Sequence, residues 1–234
     1  MKLLFISLSL CLLLACKKNV EPARMITSPQ SAPAMKYLAL GDSYTIGESV
    51  TEKESFPYQL TAQLAAKGLI FLAPKVIART GWTTGELQSA INADAGIASP
   101  YDLVTLLIGV NNQYRGNSIV EYRAQFKILL QQAIGFAGGN KRRVFVVSIP
   151  DWGVTPFGKG SGRNTQTVAQ EIDSFNAVNK EETLAMGVVY TDITPGSRLA
   201  ANDLTLVAND GLHPSGKMYG NWATDLTPKV VAIF

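Results

Sequence analysis

The sequence predicts an α/β fold, a three-layer α/β/α sandwich around a central parallel sheet of about five strands. Three observations carry that prediction. Short apolar runs of strand type alternate with longer segments of helical spacing from Lys36 onward. The runs at Leu103–Ile108 and Val144–Ile149 are apolar at almost every position, as in strands covered on both faces. Polar clusters fall just after the first three strands: Gly41-Asp42-Ser43, Arg79-Thr80-Gly81 and Gly109-Val110-Asn111-Asn112. Parallel strands bring such clusters to one edge of a sheet, where open α/β folds bind ligands.

Each element follows from its own pattern. Tyr37–Leu40 runs into a Gly-Asp-Ser turn and reads as strand one. Phe56–Lys67 carries Leu60 and Leu64 on one face and stops at Gly68, as a helix does. Lys75–Arg79 is strand two, and Thr83–Asn92 is a helix opened by Thr-Thr-Gly-Glu. Leu103–Ile108 is the central strand. Ser118–Ile134 is helical, closed by Gly135 and the Gly138-Gly139 break. Lys141-Arg142-Arg143 is a solvated lead into strand four, Val144–Ile149, which Pro150 stops. Thr165–Met186 is a long helix ending at Gly187, Val188–Asp192 is strand five, and a last helix follows Pro214.

The chain has 234 residues, 47% of them hydrophobic and 17% charged, which suits one globular domain and excludes a disordered chain. A net charge of +3 without a Lys/Arg stripe gives no electrostatic footprint for nucleic acid. The two cysteines, Cys11 and Cys16, both lie near the N-terminus. Residues 1–15, with Lys2 before an apolar run from Leu3 to Ala15, read as a signal peptide too short to span a bilayer. Leu13-Leu14-Ala15-Cys16 resembles a bacterial lipobox, which implies lipidation of Cys16 after cleavage; a plain secretory signal cut elsewhere is the alternative. Residues 16–35, with Pro22, Pro29 and Pro33, form the lipidated cysteine and its tether, and residues 36–234 the domain. The expected location is the bacterial cell envelope, at the periplasm or outer surface, with secretion if Cys16 is unmodified; membrane contact is expected only through that anchor.

The sequence contains one histidine, His213, in Asp210-Gly211-Leu212-His213-Pro214. Any imidazole base near neutral pH must be this one. An acid three residues before it can reach its other ring nitrogen and hold the tautomer; a plain helix lead-in with a capping Asp is the alternative reading. Ser43 is lifted to the sheet edge by the strand before it, though Gly, Asp and Ser are also common turn and N-cap residues. Gly81 offers a backbone N–H and Asn111 a side-chain amide at neighbouring strand ends, donors that an acyl-transfer site needs for its oxyanion. Asp42 is read as structural, bonding backbone in the Ser43 turn. Asp151 and Trp152 are read as a turn Asp and a packed Trp, with pocket lining as the alternative. Gly158–Gly162 lacks the ending of a phosphate loop and is read as a surface loop.

These blocks resemble the SGNH/GDSL hydrolase family. Ser43, Gly81, Asn111 and His213 match its four named residues in order, Asp210 matches the acid before the His, and the likeness spans about residues 36–232. The resemblance implies a flavodoxin-like sandwich and a Ser43–His213–Asp210 triad. It also implies an oxyanion hole of the Ser43 N–H, the Gly81 N–H and the Asn111 amide, with no metal or organic cofactor. The implied substrate is a small-molecule or glycan ester, with short acyl groups favoured because no long apolar lid segment is evident. The alternatives are a polysaccharide deacetylase or acyltransferase, a lysophospholipase, and a non-catalytic carbohydrate-binding module. Two positions depart from the family pattern: Tyr44 stands where Leu is common, beside the pocket, and Asn112 where the third block usually ends in Asp.

Overall fold

The structure, a computed structural model, describes residues 34–97 and 100–234. The expected signal peptide, the lipidation site Cys16 and the tether up to residue 33 lie outside the described residues. Five strands form one parallel sheet: β1 (Tyr37–Asp42), β2 (Lys75–Arg79), β3 (Leu103–Leu107), β4 (Val144–Val147) and β5 (Val189–Thr191). Their order is β2-β1-β3-β4-β5. The chain steps from β1 outward to β2, then returns to the other side of β1 for β3. The reversal of direction between β1 and β3 opens a crevice at their carboxyl ends.

Central position explains composition. Every residue of β1 and β3 is buried, and both strands pair on two sides. The edge strands β2 and β5 are partly exposed. At Gly41 an added Cβ would lie 2.3 Å from the Leu107 carbonyl and 2.0 Å from the Thr45 hydroxyl, so only glycine allows this approach just before Ser43.

Two helical layers cover the sheet. One pairs α2 (Phe56–Ala65) with α9 (Gly216–Val231). Phe56, Leu60 and Leu64, spaced by four, form the buried stripe of α2; Tyr219, Trp222, Ala223, Leu226 and Val230 form that of α9. Truncating one such leucine, as in Leu60→Ala, costs about 2–5 kcal/mol. The other layer holds α3 (Thr84–Ala93), α5 (Ile119–Phe136) and α7 (Thr165–Ala185). The Thr-Thr-Gly-Glu signal before α3 is a capping box in which Thr83 and Glu86 each satisfy the other's backbone N–H.

Strand ends differ from expectation. β1 runs two residues further, to Asp42, because its partners continue on both sides, while β4 and β5 stop two and one residues short, at Val147 and Thr191. The expected loop at Gly158–Gly162 is corrected in part: Gly158 to Gly160 are helical, while Ser161 and Gly162 lie in the bend beyond. Pro156–Gly160 is a one-turn helix, α6, capped when Thr155 Oγ1 accepts from the Gly158 N–H at 3.1 Å. Pro156 at its first turn is the local cause.

Candidate active site

Three short elements at the carboxyl edge build the site. Ser43 opens α1 (Ser43–Ile46), a one-turn helix capped by Asp42, whose Oδ1 accepts from the Tyr44 N–H at 3.0 Å. Asp42 is therefore structural, as expected. As the first helical residue, Ser43 has an N–H with no acceptor inside the helix. Asn111 lies on α4 (Val110–Tyr114), directly after β3. Asp210 and His213 lie on the turn leading to α9, closed by a bond from the Ala208 N–H to the His213 carbonyl at 2.8 Å.

Ser43 Oγ is 3.0 Å from His213 Nε2, and His213 Nδ1 is 2.6 Å from Asp210 Oδ2. The carboxylate also accepts the Leu212 and His213 backbone N–H groups on Oδ1, each at 2.9 Å, and the Ser49 hydroxyl on Oδ2 at 2.7 Å. Desolvation alone raises this carboxyl; the bonds from His213, Leu212 and Ser49 together outweigh it and hold Asp210 at about 2. Asp210 is an anion across the physiological range. The Tyr44 ring packs on the His213 imidazole at 5.1 Å and on Trp222 at 6.4 Å, so the Leu-to-Tyr departure supplies an aromatic wall behind the imidazole.

Ser43 and His213 open onto a cavity of about 190 Å³ lined also by Tyr44, Val110, Asn111, Tyr114, Trp152, Phe157 and Leu212. Among the described residues no Asp, Glu, Lys or Arg lines it. Tyr114, Trp152 and Phe157 form an aromatic cluster, with Tyr114 and Trp152 edge to face at 5.1 Å. Trp152 thus lines the pocket, whereas Asp151 is a turn residue: Oδ1 accepts from the Gly153 N–H and Oδ2 from Arg198 Nε, both at 2.9 Å.

The two donor candidates sit differently. Asn111 lines the cavity, and its amide donates one bond to the Trp82 carbonyl at 2.9 Å, leaving its second N–H. Gly81 lies beyond β2, next to Trp82, and is not part of the cavity wall. Its φ of +84° requires glycine, and its carbonyl accepts from Arg115 Nη2 at 2.6 Å, leaving its N–H without a described partner. Asn112, the second departure, is buried and reciprocally bonded to Thr84: Oδ1 accepts the Thr84 N–H at 3.0 Å and Nδ2 donates to its hydroxyl at 2.8 Å. An Asp there would lose the second bond.

Sequence reasoning missed Ser49, Tyr114, Phe157 and Gln113. Gln113 accepts from Trp152 Nε1 at 2.7 Å and so orients the indole. Tyr114 sits three residues after Asn111, a helical spacing that puts both on one face of α4; nothing local marks the other three. Among the described residues no group of three or more His, Cys, Asp or Glu side chains is placed to hold a metal ion.

A serine hydrogen-bonded to a histidine–carboxylate pair thus stands at the switch point of a parallel sheet. The chain belongs to the GDSL-like Lipase/Acylhydrolase family, whose model matches residues 39–220, and that family comprises esterase-type hydrolases. Solved structures share the fold at low identity. TesA superposes with a TM-score of 0.67 at 16% identity, covering 86% of this chain and 100% of its own. The lipase/acylhydrolase from Enterococcus faecalis gives 0.64 at 21% identity, covering 85% and 96%. Axe2, an acetylxylan esterase from Geobacillus stearothermophilus, gives 0.63 at 18% identity, covering 84% and 94%. No curated protein matches the sequence.

Proposed function

We propose that the chain is a serine esterase that hydrolyses carboxylic esters of short acyl groups through an acyl-enzyme. The observation that carries this reading is the line Ser43–His213–Asp210, at 3.0 and 2.6 Å, opening onto the apolar cavity. His213 Nε2 takes the Ser43 proton as Oγ bonds to the ester carbonyl carbon. The negative oxygen that forms is met by the Ser43 N–H and the free Asn111 N–H, with the Gly81 N–H as the third donor that the family pattern assigns. Collapse expels the alcohol, which leaves with the proton held on His213. Water then attacks the acyl-enzyme with His213 as base, releasing the acid and restoring Ser43. Asp210, an anion throughout, keeps Nδ1 protonated and Nε2 basic.

Acyl size follows from volume. The cavity is about 190 Å³, and among the described residues no Asp, Glu, Lys or Arg lines it to receive a charged acyl group. A sugar ester is the favoured alcohol class within this reading, because Tyr114 and Phe157 stay 47% and 40% exposed at the rim and offer rings for a pyranose to stack on. That Axe2 is an acetylxylan esterase agrees with it. Acetate and butyrate esters of p-nitrophenol should be hydrolysed faster than octanoate, and acetylated xylooligosaccharide faster than a long-chain lysophospholipid. Ser43→Ala should lower turnover by about four orders of magnitude or more while thermal unfolding stays near wild type; undiminished turnover would overturn the assignment.

We further propose the cell envelope as its place, supported by the lipobox-like Leu13-Leu14-Ala15-Cys16. Cys16→Ser should move the protein from the membrane fraction to the soluble one; an unchanged distribution would refute the anchor.

A further inference from the structure

Ser49 is the one non-glycine residue among the described residues with a positive φ, +65°. An L-side chain is strained there, and strain of this kind persists where the surrounding structure fixes it. Two residues earlier the chain meets the same demand with Gly47, φ +78°. Position 49 keeps a side chain where glycine would be free of strain. A serine in a turn often uses its hydroxyl on nearby backbone; this one instead donates to Asp210 Oδ2 at 2.7 Å, 161 residues away.

We propose that Ser49 is a positioning residue for the site: its hydroxyl, delivered by the strained turn after α1, locks the Asp210 carboxylate against His213. This rests on the esterase reading above. The acid needs such a lock because its side chain is 30% exposed, so burial does not hold it and water competes for its oxygens. Its other donors, the Leu212 and His213 backbone N–H groups and His213 Nδ1, all come from its own turn and move with it. Ser49 is the one described donor to this carboxylate from elsewhere, and it sits six residues after Ser43, on the turn that α1 feeds. It also shares Oδ2 with His213 Nδ1, so its bond sets the direction in which that oxygen faces the imidazole.

The turn is itself braced. The Gly47 and Glu48 N–H groups both donate to the Ser43 carbonyl, at 3.1 and 3.0 Å, and the Val50 N–H donates to the Gly47 carbonyl at 3.2 Å. The Glu48 carboxylate accepts from the Thr80 hydroxyl, beside Gly81. One short turn thereby ties the nucleophile's helix to the acid's loop and to the loop of the second donor. Loss of the Ser49 hydroxyl leaves the cavity wall of Val110, Tyr114, Trp152 and Phe157 untouched, so the effect falls on chemistry and not on substrate binding.

Ser49→Gly separates this role from a structural one, since losing the Cβ relieves the backbone while the hydroxyl is lost with it. The thermal midpoint should equal or exceed wild type, kcat on p-nitrophenyl acetate should fall about tenfold, and KM should stay within about twofold. Ser49→Asn tolerates the same backbone and carries an N–H donor, so it should recover part of kcat. His213 is the sole histidine, so the proton resonance of its Nδ1–H is unambiguous; it should stand at low field in wild type and broaden or shift in Ser49→Gly. Wild-type kcat together with an unchanged Nδ1–H resonance in Ser49→Gly would overturn the proposal, as would a change confined to KM. Failure of the wild-type enzyme on every ester would overturn the esterase reading instead, and the resonance would still decide whether Ser49 holds the Asp210–His213 pair.

Discussion

Two aspartates flank Ser43, and their surroundings push them in opposite directions. Asp42, its neighbour in sequence, is fully buried; one oxygen caps α1 and the other has no partner among the described residues. Burial raises its carboxyl from 3.8 to about 7, against the lowering effect of the Tyr44 N–H. Asp210 is partly exposed, accepts four hydrogen bonds and is held at about 2 in spite of its own desolvation. A permanent anion beside the imidazole therefore comes from donors, not from seclusion. The aspartate next to Ser43 in the chain builds the turn, and the one far away bonds the histidine.

Swapping each acid for its amide should break the comparison most sharply. Asp210→Asn leaves the size of the side chain and removes the charge and the acceptor facing Nδ1, so kcat should fall by about 10²- to 10⁴-fold with a modest change in thermal midpoint. Asp42→Asn keeps the acceptor for the Tyr44 N–H, so kcat should stay within about tenfold of wild type. Equal losses in steady-state kinetics would mean that the two carboxylates do not divide the work in this way.

The next effect is on stability against pH. Asp42 has a folded value above its unfolded one, so its contribution is intact below 3.8 and is lost as pH rises to about 7. The loss amounts to at most about 4 kcal/mol. Urea unfolding should show wild-type stability declining across that window and Asp42→Asn without the decline, matching wild type at pH 4 and exceeding it at pH 8. Asp210 has the opposite sign: its contribution is present above 3.8 and is lost as pH falls through about 2. A variant parallel to wild type at every pH would show Asp42 to be ionised in the fold.

The smallest effect concerns neither acid. Phe157→Ala removes a half-exposed rim ring and should raise KM for butyrate esters about three- to tenfold, with kcat on acetate and the thermal midpoint near wild type. A fall in kcat on acetate would tie the rim to the chemistry.

Much of this was legible in the sequence because it is written locally. Apolar runs announce strands, a capping box announces α3, and a lone histidine with an acid three residues before it marks the candidate base. The β2-β1-β3 order is not local, since every strand of a parallel sheet carries the same pattern, and it is that order which creates the crevice. The same reason hid Ser49, an ordinary turn serine until its partner across 161 residues is known. Tyr114 on α4 and Trp152 and Phe157 after β4 form a cluster only when folded. Gly158–Gly162 reads as a loop for lacking the ending of a phosphate loop, whereas Thr155 and Pro156 before it start a helix that takes in Gly158 to Gly160.

The central claim is that Ser43 is the nucleophile activated through His213 by Asp210. The most direct measurement is intact-protein and peptide mass spectrometry after treatment with a fluorophosphonate, which bonds only to an activated serine. The account predicts one adduct, on Ser43, absent from Ser43→Ala and formed much more slowly by His213→Ala. No adduct on the wild-type protein, or an adduct on another serine that survives in Ser43→Ala, would contradict it.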